Sequence, residues 1–397
     1  MTAGYPSPVT GLGGRGRSLA SRAIDRESVL RRLDWVLTIA VFALLAIGTM
    51  LVWSATKQKE LDLGHDPQGF LRKHLINISL GLVLGAMTAL FDYRSLRAYA
   101  PFVYVASVLG LIAVLAPGVG STINGAHSWI QLPAGFSIQP SEFAKVALCV
   151  ALPMLLAERR DAETAPRLKD VATALGVALV PITLIMLQPD LGTTIVIGVI
   201  ILGVLAVAST PTRWIVGLLL LGSAGAAVAI KLGVLKDYQV KRFAAFANPE
   251  LDPQGAGYNV KQATIAIGSG RLSGTGLFKG SQTNGKFVPE QQTDFVFTVA
   301  GEELGFIGAA LIIVLLGIVL WRAMRIAVRA EDLFGTLMAT GIVCWFTFQA
   351  FENIGMTLGI MPVTGVPLPL VSYGGSSMFA TMMARGLLQN VHMRRAA

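Results

Sequence analysis

Cysteine is nearly absent from this 397-residue chain: there are two, Cys149 and Cys344, each inside an apolar run. No disulfide framework or cysteine-based metal site can be built from them, and in such surroundings a cysteine behaves as a small hydrophobe. Charge is also scarce. Asp, Glu, Lys and Arg make up 14% of the residues against 53% hydrophobic ones, and the mean hydropathy is +0.63. So few charges cannot cover the surface of a soluble protein of this length, which excludes two or three soluble domains. Acidic residues are the scarcer sign, 23 against 32 basic, giving a formal charge of +9. In a membrane protein that surplus collects in cytoplasmic loops, so no nucleic-acid partner is implied. Nothing resembles a cleaved leader: the first 33 residues are polar and Arg-rich, and the first apolar run, Trp35–Trp53, is long enough to be a retained span.

What the chain has in abundance is long apolar runs. They predict an all-α polytopic membrane protein with ten spans, at approximately 34–54, 73–91, 98–117, 142–157, 171–188, 191–209, 213–231, 294–321, 333–358 and 374–393. With the N-terminus inside, the tail, inner loops and C-terminus hold eighteen basic residues, whereas the short outer loops hold four (Lys57, Lys59, Arg72, Lys73). The long segment 232–293 holds seven, but long loops translocate largely regardless of charge. Both termini are therefore expected in the cytoplasm, with 1–33 a disordered tail and 34–393 a single membrane domain.

On this topology the outer face carries most of the Pro, Gly and polar residues: Ser121–Gln139, Gln188-Pro189-Asp190, 232–293 and Ile360–Ser377. Irregular backbone near membrane depth is tolerated where protein or water satisfies it, so this asymmetry predicts an outward-facing cavity. The stretches Gly268-Ser269-Gly270 and Gly274-Thr275-Gly276 suit either anion-binding turns or simple tight turns. Residues 258–268 have the spacing of a short amphipathic helix lying on the membrane surface. Thr293 and Asp294 sit where a helix N-cap belongs, as does Asp190, so each aspartate has a capping role open to it beside any chemical one.

Ionisable residues inside spans must be paired or face water. Glu142 and Lys145, three apart, are expected to form an ion pair on one helix face. Glu302 and Glu303 lie eight and nine residues into their span, and being adjacent they cannot share one partner, so one is expected to face a polar cavity. Glu352 and Arg385, in the last two spans, are expected to pair across helices.

Four separated motifs in this order resemble the SEDS family of bacterial cell-wall polymerases. They are Gln139-Pro140-Ser141-Glu142-Phe143-Ala144-Lys145; Gln188-Pro189-Asp190-Leu191-Gly192-Thr193; Pro289-Glu290-Gln291-Gln292-Thr293-Asp294-Phe295-Val296-Phe297 with Glu302-Glu303-Leu304-Gly305; and Pro362 to Pro369 running on through Ser372-Tyr373-Gly374-Gly375-Ser376. Within that family, Asn248 to Asn259 and Gly276 to Gln282 resemble the RodA, elongation, branch rather than the FtsW, division, branch. One departure stands out. Members often carry a basic residue immediately before the tryptophan that matches Trp129, where this chain has Ser128, which leaves His127 as a substitute.

The resemblance implies a peptidoglycan glycosyltransferase in the bacterial cell membrane, polymerising lipid II, with a class B penicillin-binding protein as partner and the family's essential carboxylate at Asp294. A carboxylate there suits a general base for the acceptor hydroxyl, and direct displacement inverts the anomeric centre. The leaving undecaprenyl pyrophosphate needs positive charge, from a divalent cation such as Mg or Mn or from Lys241, Arg242, Lys261, Arg271 or Lys279. Trp129, Gln139 and Asp190 are the remaining candidates for substrate or cavity roles, and Glu142, Lys145, Glu302, Glu303, Glu352 and Arg385 for structural ones. The alternative class is a flippase or other transporter of lipid-linked precursors, whose key carboxylate should lie near the bilayer midplane rather than at its outer interface.

Overall fold

The computed structural model describes residues 29–123, 125–157, 166–231 and 237–394. Residues 1–28 of the expected disordered tail lie outside the described residues. Among the described residues, ten long helices lie at the ten expected spans. They are α1 (Trp35–Asp62), α2 (Gly69–Leu90), α3 (Tyr93–Leu115), α4 (Pro140–Ala157), α5 (Leu168–Leu187), α6 (Leu191–Val207) and α7 (Thr212–Lys231). After α8 (Asp237–Ala247) and α9 (Ala256–Ser269) of the long polar segment come α10 (Gly305–Val328), α11 (Leu333–Thr357) and α12 (Gly375–Met393). Eight candidate spans among the described residues are long and apolar enough to cross a membrane. The shorter α6 is apolar throughout, whereas α12 is more polar, with Gln389 and Asn390 fully buried. Such a helix is covered by its neighbours, so it needs no continuous lipid-facing stripe.

Small residues set the closest helix contact. A Cβ on Gly85 of α2 would stand 2.8 Å from the Met382 carbonyl oxygen, and one on Gly386 of α12 would stand 2.2 Å from that of Gly85. Close approach of this kind maximises dispersion contact between helices that lipid does not push together. Thr88 Oγ1 adds a 3.1 Å bond to the Met383 carbonyl.

The start of α1 and the end of α12 meet at one end of the bundle. Asp34 caps α1 by accepting from the Leu37 N–H, its own N–H donates to Gln389 Oε1 at 2.9 Å, and its carboxylate pairs with Arg322 at 2.6 Å. Arg385 belongs to this cluster, donating to Thr38 Oγ1 at 2.7 Å. The expected Glu352–Arg385 pair therefore does not form. Glu352 lies near the opposite end and accepts from Thr364 Oγ1 at 2.9 Å, since α11 and α12 run antiparallel and place the two residues at different depths.

The other end carries the loops. Ser121–Gln139, which composition marks only as irregular, forms an antiparallel meander of β1 (Gly120–Ile123), β2 (Ala126–Leu132) and β3 (Phe136–Ile138), with a register shift between Ser121 and Thr122. The segment 232–293 is not an extended loop where described: α8, α9 and a short helix at Ser281–Asn284 fold back onto the bundle. The helix read at 258–268 exists as α9, but its buried face (Ala256, Gly257, Ala263, Ala266) packs against protein.

The span expected to begin at 294 is interrupted. A short helix, Val296–Val299, passes into a π turn, Ala300–Leu304, and α10 starts at Gly305 with φ +66°. The glycine-rich stretches fill this break. Thr275 and Gly276 donate their N–H groups to the carbonyls of Glu302 and Glu303 at 3.0 Å, and Phe306 N–H donates to the Arg271 carbonyl at 2.8 Å. A Cβ on Gly270 would sit 1.9 Å from the Gly301 oxygen, so these glycines serve backbone approach, and the amides of Thr275 and Gly276 are committed to carbonyls rather than to an anion. The expectation that Glu302 or Glu303 faces a cavity also fails. Glu302 accepts from the Gln282 and Thr283 N–H groups at 2.7 and 2.8 Å, holding the N-terminus of Ser281–Asn284, and Glu303 accepts from Ser54 Oγ at 2.7 Å. At an interrupted helix the nearest unsatisfied donors belong to the inserted loop, and a buried carboxylate takes them.

Substituting Gly85 by valine should destabilise the bundle by about 1–3 kcal/mol, because two backbones must separate to admit the side chain. The measurement is thermal unfolding in detergent. Gly176→Val, at a glycine whose added Cβ would meet no atom within 4 Å, is the control expected to change little.

Candidate active site

At the loop-bearing end lies a cavity of about 460 Å³, within the range of small-molecule sites. All four sequence motifs reach it: Gln139 and Glu142; Pro189, Asp190 and Thr193; Glu290, Thr293 and Asp294; and the strap Pro362–Pro367 with Tyr373 to Gly375.

The strap is held by one face of α11. Gln349 Nε2 donates to the Pro367 carbonyl at 2.7 Å, Glu352 accepts from Thr364, and Asn353 Nδ2 donates to the carbonyls of Val366 (2.8 Å) and Asp294 (2.7 Å). Asn353 thus ties the aspartate's backbone to the strap. The expected Glu142–Lys145 pair forms at 2.7 Å, fully buried, and Lys145 also donates to Gln349 Oε1 at 3.2 Å. Glu142 lines the cavity, while Lys145 stands behind it.

Asp294 does not cap its helix. Phe295 occupies the N-cap position without a side-chain cap, and the N–H groups of Thr293, Asp294 and Phe295 all approach the Glu290 carbonyl at 3.1–3.2 Å. Glu290 reaches this geometry with φ +51°, an uncommon left-handed conformation that winds the chain into a tight turn. These bonds close a turn ahead of the helix, and the Asp294 carboxylate, one residue before the N-cap position, lies in the cavity wall. A Cβ on Gly365 (φ +79°) would stand 3.3 Å from Asp294 Oδ2 and 3.8 Å from Arg242 Nη1, so this glycine leaves a gap flanked by an acid and a guanidinium. Burial and the Glu290 carboxylate push the Asp294 carboxyl up to about 7, against the pull of Arg242.

Asp190 does cap. Its Oδ1 accepts from Thr193 N–H at 3.0 Å, and its Oδ2 accepts from both Thr193 Oγ1 at 2.8 Å and Gln139 Nε2 at 3.0 Å. Trp129 lines the same cavity. His127 does not stand in beside it: the ring contacts Thr122 Oγ1 at 3.0 Å and lies over Gly120, outside the lining. Of the five candidate cations, Arg242 alone lines the cavity, donating to the Thr364 carbonyl at 3.4 Å. Lys241, its neighbour on α8, is exposed, as are Lys261 on α9, Arg271 in the turn after it, and Lys279.

Sequence reasoning assigned no role to Gln349, Asn353, Glu290 or Gly365. The first two had a readable signal, since uncharged amides inside an apolar span demand partners as charges do. Glu290 and Gly365 had none, because their roles depend on backbone angles and on approach between distant segments.

Residues 34–397 match the model of the FtsW, RodA and SpoVE family, described as cell cycle proteins. Stage V sporulation protein E of Bacillus subtilis is 38% identical over 361 residues, 90% of this chain and 96% of that protein. Peptidoglycan glycosyltransferase MrdB of Escherichia coli is 37% identical over 369 residues, 91% of this chain and 94% of that one. Among solved structures, a chain of a peptidoglycan synthase complex described as coordinating polymerization and crosslinking superposes with a TM-score of 0.72 at 32% identity, covering 91% of this chain and 97% of that one. Motifs, helical architecture and full-length similarity agree, and the chain belongs to the SEDS family of polytopic membrane proteins.

Proposed function

We propose that this peptidoglycan glycosyltransferase polymerises lipid II into glycan strands with Asp294 as general base. The observation that carries the reading is the placement of Asp294: a carboxylate beside Arg242 in a cavity wall, one residue ahead of the helix N-cap position. The acceptor hydroxyl oxygen attacks the donor's anomeric carbon as its proton passes to Asp294. The bond from that carbon to the pyrophosphate oxygen breaks, and undecaprenyl pyrophosphate leaves. One direct displacement inverts the centre and needs no carboxylate nucleophile. A carboxyl pushed up to about 7 is a stronger base than an ordinary aspartate, once deprotonated.

Arg242 is the basic residue suited to the leaving pyrophosphate, being beside the base and within the cavity. Among the described residues no three His, Cys, Asp or Glu side chains gather as a metal cage. A magnesium ion often uses one or two carboxylates together with substrate phosphates, and Asp190, Glu290 and Asp294 offer carboxylates of that kind along the cavity. Such an ion would supply further positive charge to the pyrophosphate. The polyprenyl tail stays among membrane lipids, and the cavity faces outward, a reading that the distribution of basic residues supports. Membership of the RodA, elongation, branch rests on Asn248–Asn259 and Gly276–Gln282. A class B penicillin-binding protein would then supply peptide crosslinking, and residues 34–393 form one membrane unit.

Asp294→Asn should leave the protein folded and abolish polymerisation of purified lipid II, a loss of about 10²-fold or more. Wild-type rates in that variant would remove Asp294 as the base, and transport without polymerisation would instead favour a flippase. The base form of Asp294 grows as pH rises through about 7, so the polymerisation rate should climb between pH 6 and 8 and then level. Glu290→Gln removes a neighbouring negative charge that raises the Asp294 carboxyl, so the climb should move to lower pH. A rate–pH profile that is flat across this range, or unmoved by Glu290→Gln, would contradict the assignment.

A further inference from the structure

Two adjacent residues near the end of α11, Glu352 and Asn353, stand behind the cavity rather than in its lining, and both are buried. They reach the two charged groups of the site by separate routes. Asn353 Nδ2 donates to the Asp294 carbonyl at 2.7 Å and to the Val366 carbonyl at 2.8 Å, so one amide joins the base's backbone to the strap. Glu352 Oε1 accepts from Thr364 Oγ1 at 2.9 Å, and the Thr364 carbonyl in turn accepts from Arg242 Nη1 at 3.4 Å. Thr364, Gly365 and Val366 therefore form a bridge, with its first residue tied to the cation and its last tied to the base. At the middle of the bridge, a Cβ on Gly365 would meet Asp294 Oδ2 at 3.3 Å and Arg242 Nη1 at 3.8 Å.

Each side chain has the chemistry its place in the bridge requires. Both neighbours of the Asn353 amide are carbonyl oxygens, which only accept, so the amide nitrogen must face them. Its Oδ1 is buried without a partner, so the residue acts as a double donor and nothing else. An aspartate of the same shape would set a carboxylate against two carbonyls, and a leucine would leave both carbonyls bare. Glu352 supplies the acceptor that fixes the Thr364 hydroxyl and with it the start of the bridge. The chain then turns back on α11 itself: Ile360 N–H donates to the Gly355 carbonyl at 2.9 Å, and Gly359 has φ +74°. The strap thus returns along the helix it came from, whereas Asp294 arrives from an earlier part of the chain, and Asn353 is where the two are joined.

We propose that Glu352 and Asn353 are positioning residues that set the separation of Asp294 from Arg242, Asn353 acting through the base and Glu352 through the cation. The inference rests on the polymerase reading given above. In one direct displacement the attacking oxygen, the anomeric carbon and the leaving oxygen lie in line, so the groups serving its two ends must keep a fixed spacing. A misplacement of about 1 Å can cost about 10²-fold in rate. The spacing also governs proton affinity. Burial raises the Asp294 carboxyl most, Glu290 and Asp190 raise it further, and Arg242 lowers it. Moving the carboxylate toward water, or the guanidinium away from it, changes that balance in opposite directions.

The test is the steady-state rate of lipid II polymerisation by the full-length chain in detergent, measured against lipid II concentration and pH in Asn353→Leu and Thr364→Val. Each replaces a hydrogen-bonding group by an apolar one of similar size. Asn353→Leu should lower kcat about tenfold or more while KM changes less than about twofold, because a misplaced base weakens the transition state rather than binding. A loosened Asp294 gains water, which lowers its carboxyl, so the climb in rate should move to lower pH. Thr364→Val frees the carbonyl that holds Arg242 and weakens the pull of that guanidinium on Asp294, so its climb should move to higher pH. Structural damage alone would reduce the amount of active enzyme at every pH and move neither profile. Thermal unfolding identifies which variants are folded. Thr364 is partly exposed at the cavity, so its variant carries the test even if the buried Asn353 substitution fails to fold. Wild-type kcat in folded Asn353→Leu, or an unmoved pH profile in folded Thr364→Val, would overturn the positioning role while leaving the polymerase reading intact. A wild-type chain that makes no glycan would instead overturn the polymerase reading itself.

Discussion

A buried polar ladder on α11 organises the loop-bearing end of this protein. Gln349, Glu352 and Asn353 lie at successive positions of one helix face, inside a span where an amide or carboxylate without a partner would be costly. Each finds its partner in the strap Pro362–Pro367, a stretch with no regular secondary structure to satisfy its own backbone. The arrangement is reciprocal: Gln349 and Asn353 donate to strap carbonyls, and Glu352 accepts from the strap's Thr364 hydroxyl. Gln349 Oε1 also accepts from Lys145 and from Trp345 Nε1, so the buried Glu142–Lys145 pair is connected to the strap through one amide. Such a pair contributes little net stability after desolvation, and its value here lies in specifying position.

The same logic governs the interrupted helix that follows Asp294. A continuous helix from 294 would have placed Glu302 and Glu303 well inside the hydrocarbon. Instead a π turn and Gly305 open the helix, and the glycine-rich stretch 270–276 inserts its amides against the exposed carbonyls. Glu302 then binds loop donors, Glu303 binds Ser54 of α1, and the long polar segment is anchored to the bundle. Irregular backbone close to lipid is tolerated here because protein satisfies it. The consequence reaches the site directly, since the entry turn at 290–295 is part of the same departure from regular helix.

Asp190 and Asp294 show how environment separates two similar residues. Both precede helices and both line the cavity. Asp190 is occupied by Thr193 and Gln139, three donors that fix its orientation. Asp294 faces a partly buried gap shared with Glu290 and Arg242, where desolvation and a like charge favour protonation. The first arrangement suits a structural cap that borders a site, and the second suits a group that exchanges a proton.

The ten spans, the even number of crossings and the concentration of irregular chain at one end were legible in the sequence, because apolar run length and charge asymmetry report directly on transfer into lipid. So was the Glu142–Lys145 pair, which depends on helical periodicity alone. The pairing of Glu352 with Arg385 was not, since two residues in adjacent spans meet only if their depths coincide, and depth follows from how antiparallel helices are offset. The three strands at 120–138, the turn at Glu290 that sets Asp294 ahead of the N-cap position, and the selection of Arg242 from five basic candidates lay equally beyond it. Each is decided by contact between segments far apart in the chain. Local sequence determined which residues had chemistry to offer; only tertiary structure decided which of those groups share one cavity, because hydrogen bonds and close backbone approaches between distant segments set their positions.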